Sequence, residues 1–129
     1  MRAMIACTVV ARNYLAQARV LARSFLAHHE TGTIFVLVID DVNLELDDAD
    51  EPFTIVRPGE LSLPEFLRMA TMYDVTELST AVKPAFLRYL LARTSRPVVY
   101  LDPDIEVFDR LDEVEILAGA HGLVLTPHL

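Results

Sequence analysis

Residues 4–39 read MIACTVVARNYLAQARVLARSFLAHHETGTIFVLVI, and this stretch decides the fold. Met4 to Val10 is short, apolar and continuous rather than alternating, which predicts a strand buried on both faces of a sheet. From Tyr14 to Leu26, apolar residues recur at intervals of three and four, the period of a helix with one buried face. Gly32 is predicted to end that helix, and Thr33 to Ile39 to form a second buried strand. This order of elements predicts a parallel sheet.

The rest of the chain continues the alternation of strands and helices. Further strands are predicted at Phe53–Val56, Pro97–Leu101 and Leu123–Thr126, and further helices at Leu63–Tyr73, from Lys83 or Pro84 to Arg93, and at Leu111–Ala120. We therefore predict one α/β domain over residues 1–129, a Rossmann-like three-layer sandwich whose mostly parallel sheet carries helices on both faces. The chain ends soon after the fifth predicted strand, so we expect a truncated domain. Ligands of such sheets bind outside the carboxyl ends of the strands, which makes the residues after each strand candidate site residues.

Composition narrows the class of protein. With 53% hydrophobic residues the chain can bury a core, and its net charge of −8 argues against a nucleic-acid surface. The single cysteine, Cys7, lies in an apolar run, which predicts a small buried hydrophobe in a reducing compartment. Apolar runs are shorter than the roughly 20 residues that span a bilayer, and no signal-peptide pattern is present. We expect a soluble, cytoplasmic protein.

Two acidic segments follow predicted strands. Asp40–Glu51 holds seven carboxylates and no base, which predicts a solvated connection. Asp102-Pro103-Asp104 directly follows the apolar run VVYL. In an extended segment, residues two apart point to the same side, so this pair can offer two hard oxygen ligands to Mg²⁺ or Mn²⁺, with water and a diphosphate completing the shell. Asp-Pro-Asp is equally good turn chemistry, and the spacing alone leaves both interpretations open.

Residues 98–108, VVYLDPDIEVF, resemble the strand–DxD–strand segment of GT-A-fold glycosyltransferases. The segment looks most like the family 8 type, which includes glycogenin-like and lipopolysaccharide galactosyltransferase-like enzymes. Residues 8–14 (TVVARNY) and 83–91 (KPAFLRYLL) are similar to that family in kind and in order, so the resemblance covers nearly the whole chain. It implies the N-terminal, nucleotide-sugar-binding part of a metal-dependent glycosyltransferase whose acceptor is unknown.

The resemblance also implies roles for particular residues. Asp102 and Asp104 would hold Mn²⁺ or Mg²⁺, and the metal would hold the diphosphate of a nucleotide sugar, with a UDP-sugar the expected donor. A basic residue ahead of the DxD strand, here Lys83, would meet the sugar-phosphate. The base and ribose would lie against the loop after the first strand, which contains Thr8, Ala11, Asn13 and Tyr14, and near Asp40 after the second.

Several of these residues have a second interpretation. Asn13 is also a good helix N-cap, and Tyr14 either stacks on a base or packs on the core. Lys83 precedes Pro84, which suits a first helical position, so Lys83 is expected at the mouth of a helix N-terminus. The alternative is a surface lysine on a helix that begins earlier, at Ser79 or Thr80.

Two other functions compete with sugar transfer. A haloacid-dehalogenase-like phosphatase also uses an acidic pair after an apolar strand, although its motif usually opens the domain and continues with Thr or Val where this chain has Glu106. A non-catalytic nucleotide-sugar-binding or partner-binding fragment is the other alternative. The family's histidine metal ligand lies far downstream of the DxD, so His128 is assigned at most a contact with an acceptor. A truncated domain is also expected to expose apolar surface and to form homo-oligomers.

Overall fold

The computed structural model describes residues 3–41, 43 and 45–127. In these ranges four strands form one parallel sheet in the order β3-β2-β1-β4. The strands are β1 (Ile5–Val10), β2 (Thr33–Val38), β3 (Thr54–Val56) and β4 (Val98–Tyr100). The predicted α/β class is confirmed, and the sheet has the character of a Rossmann-like fold.

Four α-helices accompany this sheet in the described ranges. They are α1 (Leu15–His28), α2 (Phe66–Met72), α3 (Val75–Thr94) and α4 (Asp112–His121), with short 3₁₀ turns at Arg12–Tyr14 and Pro58–Leu61. None of the helices in this part of the chain is long and apolar enough to cross a membrane.

Both faces of the sheet are buried, because successive residues of β1 enter two different cores. Cys7 and Val9 share one core with Phe86 of α3, while Ala6 and Val10 share the other with Phe25 of α1. This explains why β1 is continuously apolar rather than alternating. Cys7 is fully buried and unpaired, and burial raises its pKa to about 12, so its prediction as a small buried hydrophobe is confirmed.

Helix α3 begins at Val75, so the prediction of a start at Lys83 or Pro84 was wrong. The capping residue is Asp74, whose Oδ1 accepts a hydrogen bond from the backbone N–H of Glu77 at 2.8 Å, and the Glu77 side chain reaches back to the Asp74 backbone. This capping box satisfies N–H groups at the helix start and sets the boundary. Pro84 removes the hydrogen bond to the Thr80 carbonyl, but both residues are exposed, so water can hydrate that oxygen.

Two further elements differ from prediction. Leu123–Thr126 forms no strand, and Leu123 and Leu125 are largely exposed. An apolar run becomes a strand only where a neighbouring backbone pairs with it, and β4 pairs with β1 alone in the described ranges. Helix α2 begins at Phe66 rather than Leu63, so Pro64 precedes its first turn.

The turn between α1 and β2 depends on Gly32. Helix α1 ends at His28, earlier than predicted, and Gly32 lies in the turn that follows. A Cβ at this position would lie 2.9 Å from Phe25 Cε1 and 3.1 Å from the Met4 carbonyl oxygen. The requirement for glycine here is therefore close packing.

His29 joins the end of α1 to the start of α4. Its side chain is buried and stacks on Phe25, with 4.9 Å between ring centroids, and its Nε2 accepts a hydrogen bond from the backbone N–H of Leu111 at 3.0 Å. Burial lowers the pKa of His29, and the neighbouring Arg110 lowers it further. The buried ring is therefore neutral, with its proton on Nδ1.

Candidate functional site

The order of the strands places a topological switch between β1 and β4. The chain leaves β1 to build β2 and β3 on one side and then crosses back to add β4 on the other. The backbone N–H of Leu101 donates to the Cys7 carbonyl at 3.0 Å, and the pairing of β1 with β4 ends there. We call the space between residues 8–11 and residues 100–104 the switch crevice. In open parallel sheets this is where ligands bind.

Asp102-Pro103-Asp104 forms a β-turn at the rim of the switch crevice. The backbone N–H of Ile105 donates to the Asp102 carbonyl at 3.2 Å, and Pro103 occupies the second position, where its fixed φ is favourable. The segment is therefore a turn and not the extended geometry from which both carboxylates were expected on one side, while a metal-binding role for the pair stays a prediction. Both carboxylates are exposed, and neither bonds to a described side chain or backbone group.

The chemistry of this pair suits a divalent metal only in part. No group of three or more His, Cys, Asp or Glu side chains within 3–41, 43 and 45–127 is arranged to hold a metal ion. Mg²⁺ is commonly bound through one or two carboxylates, while water and substrate phosphates supply its other ligands. Asp102 and Asp104 fit such a site, in which the metal and a diphosphate would bind together.

Tyr100, the last residue of β4, borders the switch crevice and was not among the predicted site residues. The Lys83 Nζ lies 4.5 Å from the centroid of its ring. Burial raises the pKa of Tyr100 to about 12, with Asp102 raising it further and the Thr8 hydroxyl lowering it. Of the predicted site residues, Lys83 thus contacts the ring, and Thr8 and Asp102 are near enough to influence the pKa of its hydroxyl. The sequence does not single out Tyr100, because an aromatic residue in an apolar strand usually packs in the core.

Thr8 and Ala11 face the protein interior. The Thr8 side chain is fully buried, and its Oγ1 is the one buried side-chain oxygen in the described part of the chain without a hydrogen-bond partner. The Tyr100 hydroxyl is near enough for Thr8 to influence its pKa, but the two do not meet hydrogen-bond geometry. Ala11 is also buried. In this conformation the two side chains contact protein atoms.

Asn13 and Tyr14 are exposed at the carboxyl end of β1. Asn13 lies in the 3₁₀ turn, and Tyr14 occupies the N-cap position of α1 without a side-chain hydrogen bond, so the prediction of Asn13 as the cap was wrong. The Tyr14 N–H donates to the Ala11 carbonyl at 3.0 Å, and this bond tightens the turn before the helix begins. Tyr14 is 43% exposed, so its ring is accessible to a planar ligand.

Asp40 ties the loop after β2 to the loop after β1. Its Oδ1 accepts a hydrogen bond from the backbone N–H of Arg12 at 2.9 Å. The Arg12 guanidinium pairs with Glu45, and this contact raises the pKa of Arg12. Asp40 is thus held in place at the sheet edge, with part of its carboxylate already used by the protein.

The acidic connection is more ordered than a solvated loop, so that prediction was partly wrong. Asp41 is buried, and its Oδ2 accepts from the Arg57 Nε at 2.8 Å while its Oδ1 accepts from the Glu45 N–H at 3.0 Å. Arg19 of α1 binds both carboxylate oxygens of Glu51. Arginines from outside the loop therefore neutralise much of its charge.

A cleft of about 750 Å³ opens at the ends of β2 and β3. Its walls include the Asp41–Arg57 pair and the apolar residues Leu63, Phe66 and Leu67. The cleft is on the same edge of the sheet as Asp102, but β3 and β4 are three strand spacings apart, about 15 Å. Asp41 and Arg57 of this cleft already satisfy one another, whereas the carboxylates beside the switch crevice have no described partner. The switch crevice is therefore the stronger candidate site.

His128 lies outside the described residues. No protein-family model matches the chain, and no curated protein or solved structure matches it either.

Proposed function

We propose that this chain is the nucleotide-sugar-binding part of a metal-dependent glycosyltransferase. The observation that carries the proposal is the turn at Asp102 and Asp104, which holds two exposed, unengaged carboxylates at the carboxyl end of β4, next to the switch between β1 and β4. Two unpaired carboxylates at a ligand-binding edge can bind a cation. A divalent cation shared with a diphosphate supplies a partner for both.

The charge of the chain supports this choice of ligand chemistry. A net charge of −8 repels a free diphosphate, so an anionic ligand needs a cation between it and Asp102 or Asp104. When bound, Mn²⁺ or Mg²⁺ would neutralise the departing nucleoside diphosphate as a Lewis acid. The residues of the chain itself orient the donor: Asp102 and Asp104 fix the diphosphate end, Lys83 adds a positive charge beside them, and Tyr14 offers a ring to the base.

Calorimetric titration of UDP and of GDP in the presence of Mn²⁺ tests the proposal. We expect one of the two to bind only when the metal is present, because the acidic edge otherwise repels it. Asp102→Asn and Asp104→Asn should each weaken binding by at least about tenfold, since even residues that only support a metal ligand contribute that much. Asp50→Asn is the matched control, because Asp50 is exposed and lies in the connection between β2 and β3.

Three results would contradict the proposal. One is the absence of binding by both nucleotides with metal, and another is unchanged affinity in the Asp102 and Asp104 variants. The third is rapid release of phosphate from p-nitrophenyl phosphate, which would favour a phosphatase. Metal-dependent binding without release of UDP from a UDP-sugar would instead identify a non-catalytic nucleotide-sugar-binding module.

We also propose that the protein is cytoplasmic. Its only cysteine is buried in the sheet, so the fold uses no disulfide and suits a reducing compartment. Fractionation of cells that express the chain checks this location, and recovery in an oxidising compartment would contradict it.

A further inference from the structure

Lys83 is the only lysine in the chain, and an aromatic ring rather than a carboxylate holds its ammonium group. The chain has 19 acidic residues, yet no carboxylate of the described ranges forms an ion pair with Lys83. The Nζ instead lies 4.5 Å from the Tyr100 ring centroid. A neutral ring attracts the ammonium without cancelling its charge, so the cation stays available to an anion.

Both partners of this contact stand on rigid elements. On α3, Val82, which directly precedes Lys83, and Phe86, one turn further on, are completely buried. Tyr100 is the last residue of β4, where its backbone is in register with Cys7 of β1. The separation between the helix and the strand is therefore fixed by core packing. The flexible part is the lysine stem, which the ring restrains.

We propose that Tyr100 is a positioning residue, an inference that rests on the function proposed above. Its ring face holds the Lys83 ammonium beside the Asp102 turn, where the diphosphate of the donor binds. A lysine side chain in water samples many rotamers, and fixing it on binding costs free energy. The ring restrains the side chain in the free protein, so less freedom is lost when the anion arrives. An ion pair with a carboxylate would restrain it too, but at the cost of its charge.

Nucleotide affinity gives the first test. In Tyr100→Leu, the dissociation constant of UDP (or of GDP, whichever the wild type binds) with Mn²⁺ should rise by about three- to tenfold, the range expected for one cation–π contact. Tyr100→Phe keeps the ring and should stay within about twofold of the wild type. In a Lys83→Met background, Tyr100→Leu should have no further effect, because the two residues act as one unit. Tyr89→Leu, the same change on α3, is the matched control.

The single lysine also permits a direct observation of the contact. Reductive methylation with ¹³C-formaldehyde labels only Lys83 and the N-terminal amine, and it preserves the positive charge. The Lys83 methyl resonance, assigned by its loss in Lys83→Met, should show an upfield ring-current shift in the wild type and in Tyr100→Phe. The shift should vanish in Tyr100→Leu and should change when the nucleotide and Mg²⁺ are added. Thermal melting confirms that each variant is folded.

The outcomes separate this inference from the proposed function. If the wild type binds neither UDP nor GDP, both fail. If the wild type binds one of them but Tyr100→Leu binds it equally well, only the positioning role fails. A Lys83 resonance at its unshifted position in the folded wild type also overturns the inference, since the ammonium would then not lie over the ring.

Discussion

Replacing Thr8 by valine should stabilise the protein. The Thr8 hydroxyl oxygen is completely buried on β1 and has no hydrogen-bond partner in the described part of the chain. Valine keeps the β-branched shape that suits a strand and removes the unsatisfied oxygen. The change therefore separates the effect of the hydroxyl from the effect of packing.

The size of the effect follows from the cost of burying an unpaired hydroxyl. Mutational data place this cost at about 1–3 kcal/mol. For a chain of 129 residues, the unfolding entropy is about 0.27 kcal/mol/K, so each kcal/mol raises Tm by roughly 4 °C. We expect Thr8→Val to raise Tm by about 4–11 °C in differential scanning calorimetry, with a matching rise in the urea midpoint at constant m-value.

Thr54→Val is the control for this measurement. Thr54 begins β3 and is only partly buried, so its hydroxyl can reach water, and the same change should alter stability by less than about 0.5 kcal/mol. A Tm of Thr8→Val equal to or below that of the wild type would refute the reasoning. It would mean that a water molecule or the Tyr100 hydroxyl satisfies the Thr8 oxygen in solution.

Two further predictions concern the packing around α1. Gly32→Ala should destabilise the protein by about 1–3 kcal/mol in urea titrations, because the added methyl group meets backbone oxygens at 3.0 and 3.1 Å, whereas Gly59→Ala, with open space around it, should be close to neutral. Burial lowers the pKa of His29 below its ordinary 6.5, so the unfolded chain binds the extra proton more readily than the folded protein. The His29 contribution to the free energy of unfolding should therefore be fully present above about pH 6.5 and should be lost as the pH falls through the folded-state pKa. The loss should disappear in His29→Gln, whose amide oxygen can still accept from Leu111, and persist in His121→Gln; an unchanged pH profile in His29→Gln would refute this.

The sequence predicts the sheet well for a physical reason. A strand covered on both faces is apolar at nearly every position, so β1, apart from Thr8, and β2, after Thr33, appear as apolar runs. The same rule misplaced a strand at Leu123–Thr126, because apolarity shows what a segment can bury and not whether a partner lies beside it. The Asp74-to-Glu77 spacing is a capping box that marks the start of α3, whereas Lys83-Pro84 indicated a later start.

The candidate site was only partly predictable. Position after a strand correctly placed Asp102 and Asp40 at one edge of the sheet, because the carboxyl ends of parallel strands share that edge. The contact between Lys83 and Tyr100 depends on how α3 packs against β4, and no local pattern encodes that packing. The pairing of Asp41 with Arg57 likewise joins residues 16 positions apart.

Helix α3 covers one face of the sheet, and α1 covers the other together with part of the acidic connection. The connection should respond to salt differently from the helices. Between β2 and β3 no helix is described, and the acidic connection is fastened by Arg12, Arg19 and Arg57. The contact of Arg12 with Glu45 is exposed, so dissolved ions screen it, whereas the contact of Arg19 with Glu51 is partly buried and is screened less. The apolar packing of α3 does not depend on such screening. A rise in salt concentration should therefore make the connection more accessible to proteases while α3 remains protected. The segment beside Asp40 is thus the part of the structure whose stability should depend on ionic strength.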